Sequence, residues 1–161
     1  MTYSSEAATR KHIAEVSKYI SLFVREMLSR AEDHDASKLE DPEKAALDEA
    51  TPRLEGLTYG SPEYKANLEL MKPFVQHHND LNDHHPEHHA KDHNENPFAR
   101  MDLFQIVELI CDWIAATKRH ADGNIFRSIE INATRFNISP QLTQILRNTA
   151  KKMADMEVNG K

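Results

Sequence analysis

Ten of the 161 residues are histidine, and seven of them fall between positions 77 and 93: His77, His78, His84, His85, His88, His89 and His93. His34 is followed directly by Asp35, and His12 lies upstream of both. Imidazole nitrogens together with carboxylate oxygens suit a borderline divalent ion such as Mn, Fe, Co, Ni or Zn. Asp112 interrupts the most apolar stretch of the chain, MDLFQIVELICDWIAATKR, residues 101–119. A carboxylate on a helix that is apolar nearly all round is costly to bury unless it is paired or bound to a cation. A metal ion would meet that need for Asp112, and likewise for His12 beside its apolar neighbours. Helical bundles build metal sites in this way, from ligands far apart in sequence.

The elements that must position these residues read as helices. Ile13, Val16, Ile20, Phe23, Met27 and Ala31 recur with a 3.6-residue period, which predicts a helix over 7–31 with His12 on its apolar stripe. Asp33 to Lys38 form a junction. Asp41-Pro42-Glu43 is a start signal, with a cap, a proline at the first helical position and an acid in the first turn. The helix it starts runs to about Ala50, and Pro52 ends it. LEGLTYGSPEY, residues 54–64, reads as a loop closing on a second start signal, Ser61-Pro62-Glu63. The next helix, from Pro62 to His78, carries Tyr64, Leu68, Met71, Phe74 and Val75 on one face, with Pro73 a kink point. Residues 79–99 lack periodicity and read as a long loop, of a length that points to function or disorder. Residues 101–119 form the most apolar helix, with Leu103, Ile106, Val107, Ile110 and Ile114 on one side. Its narrow polar strip is Gln105, Glu108, Asp112 and Arg119. Asp122-Gly123-Asn124 is a turn, 125–136 a further helix, and Ser139-Pro140-Gln141 starts a last helix to about Met156. The expected fold is one all-α domain over 1–161 with five to six helices, fraying at 1–6 and 157–161.

Composition narrows the function classes. A net charge of −6 disfavours an extended nucleic-acid surface, which needs clustered Lys and Arg, but leaves room for a pocket that takes one phosphate. The single cysteine, Cys111, permits no disulfide within the chain and fits a reducing compartment. No secretory signal and no run of 18 apolar residues is present, so the expectation is a cytoplasmic protein with no membrane partner. Oligomeric state is open, self-association included.

The order His12, His34-Asp35, Asp112 on helices resembles the HD-domain superfamily of metal-dependent phosphohydrolases. The stretches HDASK (34–38), HHNDLNDHHPEHH (77–89) and VELICDW (107–113) resemble an uncharacterised family of small phage and bacterial proteins, which would place the chain in a host cytoplasm if phage-encoded. The resemblance implies a helical HD-like fold, a metal site of His12, His34, Asp35 and Asp112, and hydrolysis of a phosphate ester, often of a nucleotide. Two-metal members add two histidines between the HD box and the last Asp, places that His78 and one of His84 or His85 would fill. Their six- or seven-residue separation is shorter than usual in that superfamily, so the count of one or two ions stays open. Glu108, one turn before Asp112, would orient water, act as general base or hold a ligand histidine. His84 is a further catalytic candidate. Lys38 would bind phosphate as a point charge, with Asn82 and Arg119 as further substrate contacts.

Plainer readings accompany each residue. His34-Asp35 alone would be a helix junction with Asp35 as cap. His12 would be a partly buried histidine with its hydrogen bonds satisfied, and Glu108 and Asp112 a solvated stripe. His88, His89 and His93 fit a polar surface loop, and Lys38 fits a surface lysine. Cys111 and Trp113 fit core packing, and GLTYG is too short for a phosphate loop. Two other functions compete with the hydrolase: a di-iron oxygenase, whose His-Asp-x-Gly-Lys box HDASK matches except for Ser37, and a non-catalytic nucleotide- or partner-binding protein.

Overall fold

The computed structural model describes residues 4–54, 62–90, 96–119 and 123–160. The GLTYG loop, His93, His120, Asp122 and the side chains of Tyr64 and Leu68 lie outside the described residues. Every regular element among them is helical, so the fold is all-α. None of these helices is long and apolar enough to cross a membrane. The chain divides into two units, Met1–His34 and Asp35–Lys161.

The first unit is one helix, α1 (Glu6–Asp33). Glu6 and Arg10 pair one turn apart at its start, where an acid also suits the helix dipole. A lone helix has nothing within its own unit to cover an apolar stripe. Ile13 and Ile20 are accordingly exposed, and so is His12, which is not partly buried as the stripe suggested. His34 closes α1 as its C-cap, with φ −52° and ψ 123°.

The second unit opens with a short 3₁₀ turn, Ala36–Leu39, followed by α2 (Glu43–Leu54) and α3 (Pro62–Leu81). α2 runs past the expected stop at Pro52. A proline near the end of a helix removes one i to i−4 bond, and this helix finishes within the same turn. α2 and α3 pack together. The inner face of α2 is Glu43, Ala46 and Ala50, an i, i+3, i+7 series, all buried. The inner face of α3 repeats that series as Met71, Phe74 and His78, whereas Val75 points to solvent.

Within 79–99, the described residues 79–90 and 96–99 are more regular than their composition predicted. α3 continues to Leu81, α4 (Pro86–His89) makes one turn, and a 3₁₀ turn covers Pro97–Ala99. Both short turns begin with proline, whose fixed φ suits a first helical position and whose missing N–H costs nothing there. The Asn96 side chain caps the second by accepting from the Phe98 N–H. The helix count is therefore seven among the described residues, above the five to six expected.

α5 (Leu103–Thr117), α6 (Ile125–Arg135) and α7 (Pro140–Asn159) form the main core. Each has a side-chain N-cap: Asp102 with Gln105 in a reciprocal capping box, Asn124, and Ser139. α7 passes the expected end at Met156 and closes on Gly160, whose φ of 62° needs no side chain to be accommodated. Leu109, Ile110, Ile129 and Leu146 are the centre of the core, with Trp113 packed against it. Leu103, expected on the buried side of α5, is 66% exposed because it lies in the first turn, beyond the cover of its neighbours. Leu109 has no exposed surface, so Leu109→Ala leaves a cavity and should cost about 2–5 kcal/mol. Urea unfolding of that variant against the parent measures it.

Candidate metal centre

Asp35 begins the 3₁₀ turn in the left-handed region, φ 55° and ψ 21°, and its side chain makes no cap hydrogen bond there. Left-handed backbone is uncommon outside glycine, although Asp tolerates it better than most residues. The plain capping role therefore does not describe Asp35. Its carboxylate is directed elsewhere: Oδ2 pairs with Lys38 Nζ, and Oδ1 lies 3.1 Å from His78 Nε2 and 3.6 Å from His84 Nε2.

His78 ends the inner face of α3, and the chain then turns sharply, the His85 N–H donating to the Asn82 carbonyl. That turn brings His85 Nε2 to 2.9 Å from His78 Nε2, although the two residues are seven apart. Asp35, His78 and His85 each offer one ligand atom, all within 4.8 Å of one another, a set with the spacing to hold a metal ion. Asp112 is half-buried on α5 and is not in that set.

Two buried carboxylates stand behind the histidines. Glu108 Oε1 is 3.1 Å from His84 Nδ1, and Glu43 Oε2 is 2.9 Å from His78 Nδ1. His84 and Glu43 are each 2% exposed and Glu108 8%, so water does not screen these pairs. Each ring has a carboxylate on both nitrogens, and the nearer one faces Nδ1; with a neutral ring's proton there, the lone pair is left on Nε2. On both His78 and His84 that lone pair then faces Asp35 Oδ1. Lone pairs turned toward a carboxylate oxygen repel unless a cation accepts them, so this donor set fits a divalent ion. Of the three roles open to Glu108, the geometry matches the holding of a histidine.

Asn82 Nδ2 also lies 3.0 Å from His78 Nδ1, and with the Nδ1 proton given to Glu43 its two hydrogens go to other acceptors. The Asn82 amide donates to Ser37 Oγ at 2.9 Å and to the His78 carbonyl at 2.8 Å. Ser37 Oγ donates to Glu43 Oε2 at 3.1 Å. Asn82, expected to contact substrate, thus directs both amide hydrogens into the protein. Lys38 likewise lies against Asp35, pairing with its Oδ2. Arg119 is exposed just past α5, eleven residues beyond Glu108 and so about 16 Å along the axis. It is not brought to the cluster. His12 and His34 belong to the first unit.

The turn bearing His84 and His85 is held from several sides. Gln105 Nε2 donates to Asp83 Oδ2 at 2.8 Å, His89 Nε2 donates to the Asp83 carbonyl at 2.8 Å, and Arg135 pairs with Glu87 at 2.7 Å. His89 is a structural member of the turn, and His88 is exposed. Burial, then Glu108 and Asp112, raises the Cys111 thiol above its usual range, which keeps it protonated. Glu43 read only as a first-turn acid, and Ser37 only as the departure from the oxygenase box. The signal available was that Glu43 falls three residues before Ala46 and seven before Ala50, on what becomes a buried face.

Burial, followed by the neighbouring His84 and His78 rings, pushes the His85 imidazole down from 6.5 to about 3. In metal-free protein the unfolded chain takes up this proton near pH 6.5, whereas the folded chain refuses it until about pH 3. Stability from the neutral ring is complete above about pH 6.5 and is lost as pH falls from there toward 3. Urea midpoints of chelator-treated protein should fall across that window, and His85→Gln should flatten the slope.

No curated protein and no solved structure matches the chain. A family model described as a family of unknown function, DUF5662, matches residues 1–152, a span that includes every residue of the cluster. The chain belongs to that family.

Proposed function

We propose that the chain is a metal-dependent phosphohydrolase of HD type, acting on a small phosphorylated metabolite with nucleotides as the leading class. The observation that carries this reading is the convergence of Asp35 Oδ1, His78 Nε2 and His85 Nε2 beside two buried carboxylate–histidine pairs. Asp35, His78 and His85 would hold the ion. His84, braced by Glu108, approaches the same Asp35 oxygen and is a further ligand in this reading. Inclusion of His12 and Asp112 rests on the resemblance alone.

A divalent ion bound there would lower the pKa of water from 15.7 toward about 7 and polarise a phosphoryl oxygen. The chain's own part is positional. Lys38 holds Asp35 ionised and fixed through Oδ2, so that Oδ1 points at the histidines. Glu108 holds His84 with its Nε2 lone pair inward. The turn 82–89, tied to α5 by Gln105, keeps His84 and His85 in place. With Lys38 committed to Asp35, recognition of the phosphate falls to the ion itself.

A second reading has one observation in its favour. Two histidines and one carboxylate are also the ligand set of non-haem iron oxygenases. Iron content with substrate-dependent oxygen uptake would favour it, and a colourless, iron-free active protein would exclude it.

Metal analysis of the purified protein should find one or two equivalents, and that count decides between one-ion and two-ion chemistry. Asp35→Asn keeps a residue that tolerates left-handed backbone and removes the charge. It should lose both the metal and turnover of a nucleotide panel while its helical circular-dichroism signal persists. Turnover at the parent rate in Asp35→Asn would overturn the hydrolase site, and tight nucleotide binding without product would make the protein a binder.

A further inference from the structure

Glu43 is the buried carboxylate behind His78, and its effect on that ring goes beyond the ligand set above. It is 2% exposed on the inner face of α2, in line with Ala46 and Ala50, where an apolar side chain would pack without a desolvation cost. Its Oε2 receives the His78 Nδ1 proton at 2.9 Å and the Ser37 hydroxyl at 3.1 Å. Its Oε1 is buried without a hydrogen bond, with exposed-edge His77 Nε2 at 3.8 Å. A buried charge held by so few contacts must be offset by something it acts on.

We infer that Glu43 is the positioning residue of the metal centre: it fixes His78 in the Nδ1–H tautomer, so that the Nε2 lone pair is offered to the ion. The inference rests on the metal reading above and adds to it a residue that neither the sequence motifs nor the HD pattern contains. Three elements cooperate in the device. The 3₁₀ turn supplies Ser37, the start of α2 supplies Glu43, and the end of α3 supplies His78 and Asn82. Asn82 donates to Ser37 Oγ, which leaves that hydroxyl's own hydrogen for Glu43 and orients it. A carboxylate on the far nitrogen also makes a histidine a stronger ligand, and loss of such a partner commonly lowers metal affinity 10–100-fold.

The test is titration of the metal-free full chain with Co(II), read by visible absorption, for the parent, Glu43→Gln, Ser37→Ala and Glu49→Gln. Glu43→Gln keeps shape and an acceptor but removes the charge. It should bind Co(II) about 10–100-fold more weakly, with a shifted absorption band, while the metal-free protein keeps its unfolding midpoint. Glu49, exposed on α2 and paired with Arg53, should be neutral when changed. Equal Co(II) affinity and an unchanged band in Glu43→Gln would overturn the positioning role and leave the metal site standing. Absence of Co(II) binding in the parent would overturn the metal reading, and this inference with it. Should Glu43→Gln fail to fold, Ser37→Ala decides: it leaves the carboxylate but removes its brace, and a several-fold affinity loss supports the role whereas unchanged affinity overturns it.

Discussion

The second unit is organised around one contact, the approach of His78 Nε2 and His84 Nε2 to the same oxygen of Asp35. It gathers a carboxylate from a 3₁₀ turn, an imidazole from the end of α3 and another from the turn beyond it. Such a gathering is unfavourable without compensation, because polar atoms leave water and like lone pairs meet. The compensation is layered. Lys38 takes the other Asp35 oxygen, and Glu43 and Glu108 take the outer nitrogens of the two histidines. Each layer makes sense only if the one inside it is to be held in a single orientation.

The helices supply these groups by one repeated device. α2, α3 and α5 each present a mostly apolar inner face with one polar residue set into it: Glu43 above Ala46 and Ala50, His78 after Met71 and Phe74, Glu108 beside Leu109 and Ile110. The apolar neighbours fix the helix rotation, and rotation aims the polar side chain. Packing thereby does the positioning that a flexible loop could not do alone. The left-handed Asp35 backbone fits this picture, since a sparsely populated conformation persists where its surroundings over-determine it.

Much of this was legible in the residues. The proline start signals located α2, α3 and α7, and the most apolar stretch of the chain located α5. His34-Asp35 and the crowding of histidines point to the region where Asp35, His78, His84 and His85 converge, and Glu108 lies against His84 there. What escaped was set by distance along the chain. Glu43 read as an ordinary first-turn acid, because alanines three and seven residues on make a faint apolar stripe. His78 and His85 read as ligands whose short separation leaves the ion count open, since the turn at Asn82 that brings them together is not visible in the sequence. The 79–99 segment read as a loop because the turn at 82–89 is held by long-range partners, Gln105 and Arg135, rather than by local periodicity.

Gln105 serves two structures with one side chain. Its Oε1 accepts from the Asp102 N–H to complete the start of α5, while its Nε2 grips Asp83 in the ligand-bearing turn. The turn therefore does not swing away as an independent flap: to open, it must also disturb the first turn of the helix that carries Glu108. The turn is thereby tied to a helix of the main core instead of hanging as a surface loop.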